Sequence, residues 1–274
     1  MGKEYEKLMG CLSCVRKKTD FVPKVALILG SGLGDYADGM EVVCRVPYQE
    51  IEGFPVSTVP GHKGQFVFGY VEGVPVVCMQ GRVHYYEGYE ISDVILPIRL
   101  MKLMGAEILF LTNAAGGLQD DMKPGDFMMI TDQIAVFAPN PLIGANIDEL
   151  GPRFPDMTEV YTKSLQEIIR KSAYELGIEL KEGIYAQLTG PSFESPADVR
   201  LLKMLGTGSV GMSTVVEAIT AKHMGMQICG ISCICNKAAG LSATPLSHDE
   251  VQAAGKEAAP KFKALVTSVI KGMK

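Results

Sequence analysis

The chain has 274 residues, 47% of them hydrophobic and 21% charged, with a formal net charge of −5. One large domain fits that length, because single cores stop growing near ~250–300 residues, and no Gly/Ser/Pro-rich linker or charge block divides the sequence. The acidic balance argues against a nucleic-acid grip, which draws most of its affinity from neutralised phosphates, and no apolar run approaches the ~20 residues of a membrane span.

Residues 1–22 read as a short helical arm, with Arg16, Lys17 and Lys18 closing the helix against its dipole rather than forming a binding patch. The first residues are mixed in charge, without the apolar stretch of a signal peptide, and Glu6 stands where a myristoylation motif wants Ser or Thr. Seven cysteines in a long chain without such a leader point to reduced thiols in the cytoplasm. Cys11 and Cys14 form a lone C-x-x-C, too little for a zinc site, and Cys229, Cys233 and Cys235 read as small buried hydrophobes on a strand.

Apolar runs predict strands at Val25–Leu29, Phe66–Val71, Val76–Met79, Ile108–Leu111, Met128–Thr131 and Ile228–Ile234, most of them continuous, as in a sheet covered on both faces. Helices are expected from Ser92 to about Gly105, from Thr158 to about Gly177, and from Ser195, with Pro196 at its first position, to Gly206. Thr214 with Glu217, and Ser247 with Glu250, each fit a capping box. Pro260 should kink the last helix or end its first half. Strands separated by helices give an α/β protein, a central mixed sheet flanked by helices in a single domain, with strand order left open.

Four segments suit an anion. Gly30-Ser31-Gly32-Leu33-Gly34 follows a strand and is equally compatible with a structural turn and a phosphate loop; its glycines miss the dinucleotide spacing, and it lacks the lysine of a P-loop. Arg82 and His84, two apart on an extended segment, point to one side, where a guanidinium fork and an imidazole suit phosphate. Gly211-Met212-Ser213-Thr214 leads into a helix whose exposed N–H groups attract anions, though in isolation it reads first as an ordinary helix cap. Asn113-Ala114-Ala115-Gly116-Gly117 sits at a strand's carboxyl end, where ligands bind, with a simple turn as the competing reading. The scarce histidines add His62, in the turn Pro60-Gly61-His62-Lys63-Gly64, and His248, at the start of the last helix; His223 reads as a charge at a helix C-terminus.

Taken in order, Gly-Ser-Gly-Leu-Gly, Pro-Gly-His, Gly-Arg-x-His-x-Tyr-Glu-Gly, Thr-Asn-Ala-Ala-Gly-Gly-Leu, Gly-Pro-Ser-Phe-Glu and Val-Gly-Met-Ser-Thr resemble the trimeric class of purine nucleoside phosphorylases, from about Val25 to the final helix. That resemblance implies phosphate binding by Ser31, His62, Arg82, His84, the backbone of Ala114 and Ser213. It implies base recognition by Phe193, Glu194 and Asn236, and ribose contacts from Tyr86, Met212 and His248, with Phe154 lent by a neighbouring subunit. Asn113, Tyr185 and Thr214 would line the pocket further, and His84, Glu194 and Asn236 would carry the catalysis. It implies a homotrimer acting on purine nucleoside and inorganic phosphate, with no metal or organic cofactor.

Residue chemistry narrows the base. A carboxylate only accepts hydrogen bonds, so Glu194 suits the N1–H of a 6-oxopurine and faces another acceptor in adenine. Asn236 can donate to O6 or N7, where the related methylthioadenosine phosphorylases carry aspartate. Cys235, where the family commonly has a hydroxyl, departs from the pattern and bears on selectivity among 6-oxopurines. Methylthioadenosine phosphorolysis, and a non-catalytic purine- or phosphate-binding role, are the competing readings.

Overall fold

The computed structural model describes residues 2–58, 63–242 and 245–274, apart from the side chain of His248. The helices are α1 (Lys3–Arg16), α2 (Ile91–Val94), α3 (Leu96–Leu103), α4 (Lys163–Glu175), α5 (Pro196–Met204), α6 (Val215–His223) and α7 (His248–Lys271). The strands are β1 (Val25–Ile28), β2 (Glu41–Pro47), β3 (Gln65–Val71), β4 (Val74–Gln80), β5 (Ile108–Gly117), β6 (Phe127–Ile134), β7 (Leu180–Gln187), β8 (Thr207–Gly211) and β9 (Gln227–Lys237).

These nine strands form one mixed sheet in the order β2-β3-β4-β1-β5-β8-β7-β6-β9. β9 also pairs with β5, in parallel from Ile108–Gln227 onward, so β5, β8, β7, β6 and β9 close into a barrel. β1, β4, β3 and β2 continue from β5 as an open wing. The continuous apolar runs follow from burial on both faces. On β1, Ala26 and Ile28 join a core with Leu8 of α1, Ile98 of α3 and Ile219 of α6, while Val25 and Leu27 face Ile169 of α4 and Phe262 and Leu265 of α7. Cys229, Cys233 and Cys235 alternate onto the α7 face as buried thiols.

Helix α1 docks through Leu8, Cys11 and Val15, and Arg16 ties it down by donating to the carbonyls of Phe21 at 2.8 Å and Met104 at 2.7 Å. No helix among the described residues is long and apolar enough to cross a membrane.

Several local expectations are corrected. The helix expected from Thr158 begins at Lys163, because Thr158 instead donates its N–H and hydroxyl to Asp156. The helix expected from Ser92 is two pieces broken at Ile95, since Pro97 has no N–H to bond the Asp93 carbonyl. Pro260 does not end α7, which runs unbroken for 24 residues because Phe262, Leu265, Val266, Val269 and Ile270 remain buried beyond it. Ser195 does open α5, and with Asp198 it forms a reciprocal capping box, Ser195 Oγ accepting from Asp198 N–H and Asp198 from Ser195 N–H. At Ser247 the forward half forms, its hydroxyl accepting from Glu250 N–H at 3.2 Å.

Candidate active site

A cavity of about 590 Å³ opens where β1, β4, β5, β7, β8 and β9 end, the side of an α/β sheet on which ligands bind. Ser31 enters from the loop after β1. That loop is pressed against β5: a Cβ on Gly30 would lie 2.6 Å from Asn113 Cα, so only glycine fits. Thr112 stitches the two together, donating to Ile28 O at 2.7 Å and accepting from Gly30 N–H at 3.0 Å. Asn113 and Ala114 line the cavity from β5, which runs on to Gly117 instead of turning after Leu111. β9 likewise reaches Lys237, so Asn236 lies on the strand.

Arg82 and His84 line the same wall. Arg82 is only 2% exposed and its Nε donates to Glu217 Oε1 at 2.8 Å, a carboxylate 3% exposed. The arginine's charge is thereby answered by a buried carboxylate before any ligand arrives, so an anion here must be held largely by directed N–H and O–H donors. His84 stacks on Tyr86 with ring centroids 4.7 Å apart. Glu87 Oε1 accepts from the His84 N–H at 2.7 Å and sits 3.3 Å from Nδ1, while Oε2 accepts from Thr58 N–H at 2.5 Å and its hydroxyl at 2.8 Å. Burial lowers the His84 pKa against the pull of Glu87, which keeps the ring neutral near pH 7. Burial alone would raise Glu87, but hydrogen bonds from His84 and Thr58 hold it at about 2.

A carboxylate so depressed stabilises the fold above its unfolded pKa of ~4.3, and that contribution drains away as pH falls toward the folded value. Glu87→Gln should therefore melt below the parent at pH 7, with the gap closing between pH ~4.3 and ~2. A gap that stayed constant across that window would mean the charge of Glu87 contributes nothing.

The capping box expected at Thr214 is absent. Thr214 is the N-cap of α6 but takes φ +86° and makes no side-chain cap bond. Its hydroxyl accepts from Asn113 Nδ2 at 2.9 Å and lies 3.1 Å from Ser213 Oγ, and Glu217 is spent on Arg82. Ser213 lines the cavity, as does Gly211, beneath which Tyr185 lies so close that a Cβ would meet its hydroxyl at 2.3 Å.

Phe193, Glu194, Met212 and Asn236 also line the cavity. Glu194 Oε1 accepts from Ala239 N–H at 3.1 Å, which orients the carboxylate, and Asn236 Nδ2 donates to Lys237 O at 3.2 Å. Gly190 makes room for the thioether of Met212: a Cβ there would fall 2.4 Å from Sδ and 3.1 Å from Tyr86.

The cavity thus gathers Ser31, Arg82, His84, Ala114 and Ser213 with Tyr86, Met212, Phe193, Glu194, Asn236 and Asn113. Tyr185 and Thr214, expected to line it, are instead fully buried behind its wall as supports. Phe154 lies elsewhere, 86% exposed with Arg153 over its ring. His62 falls outside the described residues; His248 is the first residue of α7. His223 does close α6, but it is buried against Gly151, and burial and then Arg99 lower its pKa, so a charge at that helix end is disfavoured. Cys235 turns to α7, 3.9 Å from where a Gly255 Cβ would stand, and does not line the cavity. Sequence reading missed Thr58, Glu87 and Val251 as lining residues, and Glu217 as the partner of Arg82. Only Glu87 left a signal, its spacing of three from His84.

Fold and site together define a phosphorylase: residues 24–271 match the phosphorylase superfamily, and the chain belongs to that family. It is 48% identical over 259 residues to purine nucleoside phosphorylase 1 of Geobacillus stearothermophilus, covering 94% of each chain. It is 50% identical over 248 residues to purine nucleoside phosphorylase 1 of Bacillus subtilis, covering 90% of this chain and 92% of the relative. The crystal structure of a Schistosoma purine nucleoside phosphorylase in complex with hypoxanthine superimposes with a TM-score of 0.93 at 36% identity, covering 98% of both chains.

Proposed function

We propose that this cavity phosphorolyses purine nucleosides, with 6-oxopurines such as hypoxanthine and guanine as the preferred bases. One observation carries the reading: groups suited to phosphate (Ser31, Arg82, His84, Ala114 N–H, Ser213) and groups suited to a purine (Phe193, Glu194, Asn236) line one cavity, with Tyr86 and Met212 among them. In the reaction the C1′–N9 bond breaks, its electron pair leaves on the purine, and a phosphate oxygen bonds to C1′, giving free base and (deoxy)ribose 1-phosphate. Phosphate beside the sugar stabilises the cationic centre before capturing it. Asn236 donates to the purine as it gains negative charge, the logic of an oxyanion hole. Glu194 accepts from N1–H, held in aim by Ala239. Neutral His84 with its proton at Nδ1 toward Glu87 keeps Nε2 as an acceptor for a protonated phosphate oxygen. Inorganic phosphate is the co-substrate, and the scheme needs no metal or organic cofactor.

A homotrimer is part of the same reading, supported by the exposure of Phe154, which a neighbouring subunit's pocket would cover. Cytoplasmic placement rests on the seven thiols. The test is hypoxanthine release from inosine with and without phosphate, alongside adenosine and methylthioadenosine. Phosphate-dependent release from inosine with ribose 1-phosphate formed is expected. Turnover of methylthioadenosine in its place would overturn the base assignment, and no turnover of any of the three would overturn the reading.

A further inference from the structure

We propose that Gln187 is a positioning residue for the phosphate end of the cavity, capping α6 in place of Thr214 and so fixing the turn that presents Ser213. The inference rests on the phosphorolytic reading above. Gln187 is the last residue of β7, paired with Gly211 of β8, 1% exposed and outside the cavity lining. Its Oε1 accepts from the backbone N–H of Val216 at 3.1 Å. Val216 is the second residue of α6, one of the first-turn donors that a helix cannot satisfy itself.

An ordinary N-cap would meet that need from within the helix. Here it does not, because the Thr214 hydroxyl is committed to Asn113 and the residue sits at φ +86°, a conformation rarely taken by a β-branched side chain. A carbonyl reaching in from the neighbouring strand fills the gap. β7 therefore supports this segment twice on one face, the Tyr185 ring under Gly211 and the Gln187 amide at Val216. With the Gln187 carbonyl gone, the Val216 N–H would draw the Thr214 hydroxyl off Asn113 and carry the adjoining Ser213 with it. Ser213 and Asn113 both face the cavity, so the disturbance falls on phosphate and not on the base.

The experiment compares the parent with Gln187→Met, which keeps the length and removes the acceptor, and Gln187→Glu, which keeps the acceptor and adds an ionisable group at the first turn of α6. KM is measured separately for phosphate and inosine, inorganic phosphate binding is followed by calorimetry without nucleoside, and melting temperature is recorded for each protein. For Gln187→Met the phosphate KM should rise about tenfold, the scale of one unpaired buried donor, with the inosine KM within about twofold of the parent. For Gln187→Glu the phosphate KM should climb with pH as the buried carboxyl ionises. A folded Gln187→Met protein with the parental phosphate KM, or one in which both KM values rise together, overturns the inference, as does a Gln187→Glu penalty independent of pH. If the parent itself needs and binds no phosphate, the phosphorolytic reading falls; if the parent needs it and Gln187→Met matches the parent, only the role of Gln187 falls.

Discussion

Asn236→Asp is expected to lower inosine turnover by about 10²–10³-fold, the usual cost of losing one donor aimed at developing charge, while raising the adenosine-to-inosine activity ratio. Asn236 lies near the carboxyl end of β9, paired in parallel with Gly116 of β5 just beyond a register shift between Ala115 and Gly116. A carboxylate at that position would face the purine just as the base takes on negative charge, which penalises a 6-oxopurine most. Adenine offers an exocyclic amino group to the same carboxylate, so its transition state loses less. The phosphate KM should change little, since the role proposed for Asn236 is toward the base and not toward phosphate. Steady-state kinetics on inosine and adenosine at saturating phosphate decide it. An unchanged ratio would remove Asn236 as the reader of the base.

The second large effect is on stability. Glu217→Leu leaves the Arg82 guanidinium, 2% exposed, without its carboxylate. Breaking a buried pair by removing one partner costs about 3–5 kcal/mol, because the remaining charge stays in a poorly solvating interior. For a chain of this size that is a fall of about 6–20 °C in melting temperature. Added phosphate should recover more of the loss than it adds to the parent, since a bound anion takes over the missing charge. A melting temperature within about 1 °C of the parent would show that the pair contributes nothing net.

The site was legible in sequence wherever its residues come in short local motifs. Ser31, Arg82-x-His84, Asn113-Ala114, Phe193-Glu194 and Met212-Ser213 each sit in such motifs, and the cavity collects them all. What stayed hidden depends on partners far apart in the chain. Glu217 meets Arg82 across 135 residues, and Gln187 meets Val216 across 29. Local spacing made Thr214 and Glu217 look like a capping box; tertiary partners claimed both side chains first.

The same competition explains the sheet. β7 carries Lys181, Glu182 and Gly183, and β8 carries Gly208 and Gly211, compositions poor in strand formers. Both are strands because the barrel supplies hydrogen-bonding neighbours on either side. Asn113–Gly117 has turn composition yet stays extended for the same reason, pairing with β8 and β9.

Barrel closure also settles how this chain avoids self-association through its backbone. Among the described strands only β2 has a single neighbour, so one row of unpaired amides is all that another chain could extend. That margin is poorly suited to templating: Glu41 and Arg45 place charge along it, and the ladder with β3 slips between Val42 and Cys44, a bulge that twists the strand out of line. Val42 and Val43 lie exposed there without a flat, continuous β surface to offer. The site's strand ends are thus built largely into a ring with no rim to recruit a stranger, and the one rim that remains is irregular and charged.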